Sequence, residues 1–467
     1  MKKKYSLLTA IMVAFAVLVV LSWIIPSSSY YYGTFTKGTV TPFGLADLFK
    51  VPLWTASTIF QFSLIFLTIG GFYGVVNKTG AYSKLLEGIK TKFKKKPHVF
   101  LISSVIAFAL LSSVMGGSFA LFILVPFAIS ALLILGYGKC AAVLATVGAM
   151  LAGTIGSTFA FDVNGYINYY LSQNVEAGVV YKVILLVLTV TLLIFFTLKL
   201  AKKEDKVTDI PLYEEEKDSK KGYLPIVILT IVGVLVCLAG AFSWNDMYGI
   251  KFFNELHTSI TSFKVFGYPL FDNLLGNMTQ FGSWSNQDFN AMIIVMSLVI
   301  GLVYKLKFKE ILNSFLKGAK EMVPTFVYAT LANIIIVTLM NSSSGQAISY
   351  TIMNFLFTLG SGFNALAYGL AVFVDSFFVN YFPYLSSDIL QSATTTYTSA
   401  TVYPVMGVIT QAIYGLSMYI LPTSLLLVAA LAYLNISFKE WFKYIWRYLL
   451  YLLAVIVVVI LVALMFV

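Results

Sequence analysis

Residues 153–162 read GTIGSTFAFD, and this short stretch decides how the whole chain is interpreted. It follows the apolar run KCAAVLATVGAMLA (139–152), which has the composition of a helix inside a membrane. Glycines, hydroxyl residues and an aspartate are out of place in a helix that faces lipid. The stretch therefore predicts that the helix is interrupted where polar groups find partners other than lipid.

The composition indicates a membrane protein with many crossings. Hydrophobic residues make up 59% of the 467-residue chain and charged residues 11%, whereas soluble domains carry roughly 25% charged residues. Mean hydropathy is +0.88. Apolar runs of about 20 residues, each long enough to cross the hydrocarbon core, recur along the chain. The alternating short strands of a membrane β-barrel are not seen, so the predicted fold class is an all-α polytopic membrane protein.

Most apolar runs fit single crossings, but two do not. Segment 98–136 is interrupted by SSVMGGS, and segment 348–400 is interrupted by VNYFPYLSSD. The N-terminal run has too long an apolar core for a signal peptide, so we interpret it as a retained helix. Single spanning helices are predicted at 5–26, 56–77, 140–162, 179–199, 223–241, 288–305, 323–340, 403–431 and 447–466.

The basic residues orient these helices in the cell membrane. Lysine-rich loops face the cytoplasm by the positive-inside rule, which places the N-terminus inside and the C-terminus outside. The same bias accounts for the net charge of +11, so nucleic acid is not needed as a partner. Of the 31 basic residues, those expected on or near the outer side are Lys37, Lys50, Lys182, Lys251 and Lys264.

This orientation makes both interrupted segments re-entrant hairpins. The first, near 98–136, has both ends inside and is predicted to reverse near Met115–Ser118. The second, near 362–400, has both ends outside and a tip near Asn380–Asp388. All directions are reversed between the halves, which predicts two inverted-topology repeats, each with a re-entrant hairpin and a discontinuous transmembrane helix.

The predicted organisation follows from these repeats. It comprises a first repeat at 1–200, a charged cytoplasmic linker at 201–222, a connecting helix at 223–241, an extracellular loop at 242–287 and a second repeat at 288–467.

Four polar breaks at related places in the repeats define a candidate binding site. A backbone N–H or C=O group that loses its helical hydrogen bond inside the membrane costs several kcal/mol unless protein, water or a ligand bonds to it. Close packing of small residues is the alternative interpretation of each break. The candidate substrate- and ion-binding residues are Gly116, Gly117 and Ser118 at the first tip; Gly153, Thr154, Gly156, Ser157 and Thr158 in the first helix break; Asp375, Asn380, Ser386 and Ser387 in the second hairpin; and Ser417, Pro422, Thr423 and Ser424 in the second helix break.

The ligand chemistry follows from these residue types. Free carbonyl and hydroxyl oxygens suit Na⁺, expected at Ser157, Thr158 and Thr423, with H⁺ as the alternative coupling ion. Asp375 is the main intramembrane acid and is expected to bind that ion or proton. Asp162 is expected nearer the outer water. No catalytic residue and no cofactor are predicted.

Three stretches resemble a known family. FLTIGGFYGVVNKTGA (66–81), PFAISALLILGYGK (126–139) and LPTSLLLVAALAYLNISFKEWFKYI (421–445) are similar, in this order, to the YfcC-type and related four-carbon dicarboxylate carriers of the ion transporter superfamily. The resemblance implies inverted repeats, elevator-like movement and often a dimer. It also implies dicarboxylate, amino acid or other small carboxylate substrates, with Na⁺, H⁺ or exchange coupling.

The sequence thus predicts a secondary active transporter of a small carboxylate-containing metabolite, an amino acid or a dicarboxylate. Its partners are the substrate, the lipid bilayer and a second copy in a homodimer. The alternatives are a passive channel and a membrane-embedded transferase. A transferase needs paired acids or a histidine cluster, and the chain has only two histidines.

Overall fold

The computed structural model is mostly helical and describes residues 5–31, 34–116, 119–205, 207, 210–214, 222–341, 345–360 and 362–466. The chain divides into two compact units. The first combines Met1–Phe66, Leu86–Tyr213 and Glu321–Val467, and the second combines Leu67–Leu85 and Glu214–Lys320. Both predicted repeats contribute to the first unit, so the units do not follow the predicted repeat boundaries, which stay predictions.

The first part of the chain holds the elements around the opening stretch. A small β-hairpin, in which Ser28 pairs with Lys37, follows the first helix. The elements are α1 Tyr5–Ile24, β1 Ser28–Tyr31, β2 Thr34–Lys37, α2 Leu45–Lys78, α3 Ala81–Phe93, α4 Pro97–Met115, a 3₁₀ turn Phe119–Leu124, α5 Val125–Ile134, α6 Lys139–Val143, a π turn Leu144–Gly148, α7 Ala149–Ile155, a π turn Phe161–Gly165, α8 Tyr166–Leu171 and α9 Val179–Ala201.

The middle of the chain belongs mainly to the second unit. A capping box starts one of its long helices, since the Ser285 amide donates to the Asp288 carboxylate at 2.7 Å. The predicted extracellular loop at 242–287 contains three short helices. The elements are α10 Leu224–Ala241, α11 Trp244–Tyr248, α12 Phe252–Ser262, α13 Leu270–Leu275, α14 Asn286–Val303 and α15 Phe308–Glu321.

The last part of the chain belongs to the first unit and contains two interrupted helices and a hairpin. The helices are interrupted at Asn333 and at Leu421–Ser424, and the hairpin reverses at Val379–Tyr381. The elements are α16 Val323–Ala332, α17 Ile334–Asn341, α18 Gly345–Phe357, α19 Ala365–Phe378, α20 Phe382–Thr396, a 3₁₀ turn Ala400–Val402, α21 Tyr403–Ile420, α22 Leu425–Tyr433 and α23 Phe438–Leu464.

Eight helices of the described residues are long and apolar enough to cross a membrane, by length and composition. Several predicted crossings match them within a few residues. Four do not: the helix predicted at 56–77 begins already at Leu45, the one predicted at 447–466 begins at Phe438, the helix 323–340 is divided at Asn333 into α16 and α17, and the helix 140–162 ends at Ile155. The eight are Ser6–Ile24, Leu45–Lys78, Pro97–Met115, Val179–Ala201, Leu224–Ala241, Asn286–Val303, Ala400–Tyr433 and Phe438–Leu464.

The core of the first unit lies along α7 and α21. Every residue of α7, and almost every residue of α21, is buried. Both helices are apolar nearly all round, which is the pattern of a helix enclosed by other helices. Helix α9 instead buries one stripe, including Leu185 and Leu193, and exposes Val187 and Phe195 on other faces.

The segment 97–134 forms a helical hairpin. Ala109 of α4 lies against Gly153 of α7, and Ser113 lies against Thr158, so the two helices run in the same direction. Helix α5 ends just before α6 begins, so it returns toward the end at which α4 starts. Gly116 is the last described residue of the first arm, and Gly117 and Ser118 of the predicted tip lie outside the described residues, so the re-entrant character of this hairpin stays a prediction.

The segment 365–396 forms a second hairpin. The ring of Tyr397, just after α20, packs edge-to-face against the ring of Phe363, just before α19, with centroids 5.1 Å apart. The two arms therefore return to the same end. The reversal is limited to Val379–Tyr381, which is narrower than predicted, because Ser386, Ser387 and Asp388 continue helix α20.

The long arms of the two broken helices pack against each other in opposite directions. Gln411 of α21 donates to the carbonyl of Ile155 at 3.0 Å, and Tyr419, two turns later, donates to the carbonyl of Gly148. Each hairpin in turn lies beside one long arm. This arrangement is consistent with inverted repeats, which stay a prediction.

Candidate functional site

The first helix break, Gly156–Ala160, is joined directly to the first hairpin. The Ser113 hydroxyl donates to the carbonyl of Gly156 at 2.9 Å. The Ser113 carbonyl accepts from the Thr158 amide at 3.0 Å and from the Ser157 hydroxyl at 3.3 Å. The last turn of α4 therefore supplies partners for backbone groups that the break frees.

A second set of side chains completes this closure. The Gln411 amide donates to the carbonyls of Ile155 at 3.0 Å and Ser157 at 3.1 Å. Asn164 donates to the Ser157 hydroxyl at 2.9 Å. The oxygens predicted to bind Na⁺ at Ser157 and Thr158 are thus already engaged by protein groups.

Three predicted site residues of this break have packing roles. A Cβ added at Gly153 would lie 2.3 Å from the Ala109 carbonyl, and one at Gly156 would lie 2.5 Å from the Leu186 Cα. These glycines let α4 and α9 approach α7. The Thr154 hydroxyl donates to the carbonyl one turn earlier in its own helix, at 3.2 Å.

A buried lysine lies behind the break. Lys182 is 1% exposed, and its ammonium donates to the Asn164 amide oxygen at 2.6 Å. Lys182, Asn164 and Ser157 therefore form one hydrogen-bonded chain. Within the described residues no carboxylate forms an ion pair with Lys182. The sequence placed this lysine near the outer side and gave no reason to connect it with Asn164.

The first tip is shaped around Asp162. Gly116 has φ +96°, a conformation that side chains other than glycine rarely adopt. A Cβ there would lie 1.8 Å from the Asp162 Oδ1. That oxygen is enclosed and has no hydrogen-bond partner among the described residues. Asp162, expected near the outer water, instead lies against the hairpin tip.

The second hairpin tip meets the second helix break, Leu421–Ser424. The Asn380 amide donates to the Thr423 carbonyl at 2.6 Å and lies 3.3 Å from the Asn333 side-chain oxygen. The Tyr414 hydroxyl donates to the Asn380 carbonyl at 2.9 Å. Among the described residues, the Asn380 Oδ1 and the Thr423 Oγ1 are buried without a partner.

Other predicted residues of this half have local roles. The Ser417 and Ser386 hydroxyls donate to carbonyls of their own helices, at 2.7 and 2.9 Å. Ser387 accepts from Gln391 at 3.2 Å. Pro422 stands in the turn before α22, and Ser424 is the N-cap of α22 without a side-chain cap bond.

The second hairpin also holds an acid pair that the sequence did not predict. Asp375 is fully buried on α19, and its oxygens accept no well-formed hydrogen bond in the described structure, although Ser349 lies beside it. Asp388 on α20 interacts electrostatically with Asp375 and accepts from the Tyr350 hydroxyl at 3.0 Å. Their separation in sequence hides this proximity, which only the hairpin creates.

The two half-sites form one polar path within the first unit. Asp162, at the first tip, interacts electrostatically with Tyr381 and Tyr414. Tyr414 in turn bonds to Asn380, and Asn380 bonds to Thr423. The path therefore runs from the first hairpin tip to the second helix break. Tyr414 and Tyr381 are the connecting residues that sequence reasoning missed.

A cavity of about 240 Å³ lies elsewhere in the first unit. Its lining includes Leu7 of α1, Tyr328 of α16, and Tyr433 and Asn435 at the end of α22. None of the predicted site residues lines it. This cavity is therefore separate from the polar path.

Helical hairpins that contact broken helices, with polar groups held between them, are the architecture of membrane transporters. The chain is a membrane transport protein of this helical class. It matches the family DcuC, the C4-dicarboxylate anaerobic carriers, over residues 5–465, and it belongs to that family. The predicted relation to four-carbon dicarboxylate carriers is thereby confirmed, while the YfcC-type assignment stays a prediction.

Solved structures give more distant likenesses. The YdaH transporter of Alcanivorax borkumensis is 13% identical, with 97% of each chain covered and a TM-score of 0.40. MtrF of Neisseria gonorrhoeae, from a class described as antimetabolite efflux pumps, is 12% identical, with 98% of this chain and 96% of that chain covered and a TM-score of 0.41. A search of curated proteins gives no match.

Proposed function

We propose that the protein is a secondary active transporter of a small carboxylate-bearing metabolite, a dicarboxylate or an amino acid. The family name supports the carboxylate. The observation that carries the proposal is the junction of second tip and second break, where the Asn380 Oδ1 and the Thr423 Oγ1 are buried without partners among the described residues. Buried polar atoms are normally paired, so such atoms indicate a site for a ligand.

The substrate carboxylate binds in this proposal at the start of α22. The N-cap residue Ser424 makes no side-chain cap bond, which leaves backbone N–H groups of the first turn available. Such N–H groups, together with the helix dipole, favour an anion. Pro422 and Thr423 hold the turn that presents them.

The coupling ion binds in the second half of the molecule. Na⁺ takes the amide oxygen of Asn380 with the hydroxyl of Thr423, since amide and hydroxyl oxygens suit a hard cation and both are without a partner among the described residues. A proton instead takes the Asp375–Asp388 pair, because two neighbouring carboxylates favour sharing one proton. The engaged oxygens of Ser157 and Thr158 make the first break a weaker Na⁺ site than the sequence indicated.

Transport proceeds in this proposal by alternating access of the elevator type, in a homodimer. The predicted inverted repeat supports the mechanism, because its two halves would present the site to opposite sides of the membrane. The distribution of basic residues supports a cytoplasmic N-terminus and an outer C-terminus.

Uptake by proteoliposomes tests the function. A panel of dicarboxylates and amino acids is offered with a Na⁺ gradient, with a pH gradient, or with unlabelled solute inside. We expect saturable uptake of at least one solute, driven by one of these conditions. Uptake that rises linearly with solute concentration and does not depend on the Na⁺ gradient, the pH gradient or the internal solute would indicate a passive channel. Absence of uptake of every solute would contradict the proposal.

The Asp375→Asn variant distinguishes the coupling ions. If the acid pair carries a proton, the variant loses uptake driven by the pH gradient and keeps exchange of solute for solute. The matched control is Asp272→Asn, on an exposed helix of the second unit, which should keep both activities. If Asp375→Asn keeps pH-driven uptake, the proton is not carried there.

A further inference from the structure

Asp162 lies where the first tip and the second hairpin approach each other. Its Oδ1 is enclosed against Gly116 and accepts no hydrogen bond within the described part of the chain. An enclosed carboxylate without a partner is costly, because its lost hydration is not replaced. The position therefore calls for a positively charged or hydrogen-donating ligand.

Two pairs of aromatic side chains lie on the elements that meet near this carboxylate. On its own side, the rings of Phe161 and Tyr166 lie 5.6 Å apart. On the second hairpin, the rings of Tyr381 and Tyr384 lie 5.3 Å apart. Tyr381 and Tyr384 are 41% and 48% exposed, so their faces remain open for a ligand.

Several tyrosines of this region lie within electrostatic range of the acid. Asp162 interacts electrostatically with the hydroxyls of Tyr166, Tyr381 and Tyr414. The Tyr414 hydroxyl, however, donates to the Asn380 carbonyl at 2.9 Å and is not free for Asp162. A carboxylate bordered by aromatic faces is the combination that binds ammonium groups, by charge and by cation–π attraction.

The protein supplies no cation of its own at this place. Within the described residues no lysine or arginine pairs with Asp162, and the only buried lysine is Lys182. That lysine donates to Asn164 rather than to Asp162. A dianionic substrate placed beside Asp162 would meet repulsion without a compensating positive charge.

We propose that Asp162 binds the ammonium group of an α-amino acid substrate, together with a cluster of four aromatic side chains, Phe161, Tyr166, Tyr381 and Tyr384. This inference rests on the proposed transport function and names the substrate class. The ammonium donates to the Asp162 carboxylate, whose charge it balances. In aspartate, the side-chain carboxylate extends from this site along the polar path toward Asn380.

A matched pair of ligands tests this assignment, because aspartate is succinate with one added amino group. Thermal unfolding of the purified protein is measured with each, and with alanine and propionate as a second pair. We expect each amino acid to raise the unfolding temperature, by preferential binding to the folded state. Its deamino partner should need at least tenfold higher concentration for the same shift.

The wild-type comparison requires no variant and can overturn the proposal alone. If no amino acid stabilises the protein, or if succinate and propionate act as well as aspartate and alanine, the assignment is wrong. The proposed function would survive the second result, because the deamino acids would still be ligands. It fails separately, when proteoliposomes take up no solute of either kind.

The Asp162→Asn variant locates the ammonium. We expect the variant to need at least tenfold more aspartate than the wild type for the same shift in unfolding temperature. Its response to succinate should be unchanged or stronger. Asp272→Asn, on the exposed helix α13, is the matched control and should match the wild type. Equal losses for aspartate and succinate would assign Asp162 a structural role. A shift caused by Na⁺ alone that Asp162→Asn abolishes would make it a coupling-ion site and overturn the proposal.

Discussion

The two helix breaks are built alike but treat their polar atoms differently. At the first break, Ser113 and Gln411 donate to the freed carbonyls, and Asn164 links Ser157 to the ammonium of Lys182. At the second break, the side-chain oxygens of Asn380 and Thr423 remain buried without partners in the described structure. The protein thus satisfies the freed carbonyls of the first break, where only the Gln411 Oε1 lacks a partner among the described residues, and the second break leaves two oxygens for a ligand.

This difference indicates that the two helix breaks have different roles. Hydrogen bonds to freed backbone groups fix one conformation, whereas unpaired buried oxygens raise the energy of the unliganded state. We infer that the first break holds the tip and Asp162 in place. The second break then gains most from an ion or substrate, and variants on the two sides should separate these roles.

Gly116→Ala should have the largest effect. The φ of +96° would cost an alanine about 1–3 kcal/mol, and its Cβ would lie 1.8 Å from the Asp162 carboxylate. We expect at least a tenfold loss of uptake and a lower thermal unfolding temperature. Gly88→Ala, in helix α3 with nothing within 4 Å of the added carbon, should keep full uptake. Wild-type uptake by Gly116→Ala would show that the tip is not rigidly held.

Lys182→Ala should reduce uptake nearly as much, and it tests whether the hydrogen bonds behind the first break are needed for transport. Without the ammonium, the Asn164 amide oxygen loses its 2.6 Å bond, at a cost of about 1–3 kcal/mol. We expect at least a tenfold loss of uptake, partly restored by ammonium or methylammonium salts. Tetramethylammonium should not restore it, because that ion has no N–H donor. Equal uptake with and without these salts would contradict the role given to the lysine.

Ser113→Ala and Thr423→Val compare the breaks directly. The Ser113 hydroxyl donates to the Gly156 carbonyl at 2.9 Å. Ser113→Ala leaves that carbonyl unpaired, which costs about 1–3 kcal/mol of stability, so the unfolding temperature should fall. The Thr423 hydroxyl has no hydrogen-bond partner among the described residues, so Thr423→Val should keep the unfolding temperature and lose stabilisation by Na⁺. If both variants behave alike, the distinction between the breaks fails.

The breaks and hairpins could be predicted because their signals are local. Apolar run length, Pro422 and the glycines around 153–156 mark interruptions, and lysine-rich loops orient the chain. Boundaries were less accurate where polar residues belong to helices. Ser386 and Ser387 suggested a loop, but they lie in α20, with the Ser386 hydroxyl bonded to its own helix.

The pairings within the site could not be predicted from the sequence. Lys182 stands near the start of a helix, where lysines commonly extend to the water interface, so nothing distinguished it as buried. Asp375 and Asp388 meet only because the hairpin reverses between them. Asp162 meets Gly116 through the parallel course of α4 and α7. Contacts between distant segments of one chain leave no periodic pattern in a single sequence.

Glu204→Gln should have the smallest effect and tests the opposite end of the broken helices, where α6 begins and α22 ends. The Glu204 carboxylate accepts from the amides of Cys140 at 3.0 Å and Ala141 at 2.8 Å. Burial raises the pKa of Glu204 above its ordinary 4.5 despite these bonds. The folded state then binds the proton more tightly than the unfolded state, so this residue's contribution to stability falls as pH rises from about 4.5 through the raised value.

The Glu204→Gln variant cannot titrate at this position and should lack that part of the pH dependence. Its unfolding temperature, relative to the wild type, should therefore increase as pH rises through the window. The matched control is Lys139→Gln, which removes a 2.8 Å bond to the Leu434 carbonyl at the same end but leaves the carboxylate in place. A constant difference between Glu204→Gln and the wild type would mean that Glu204 does not couple proton binding to folding. The closure of this end would then rest on hydrogen bonding alone, as at the first break.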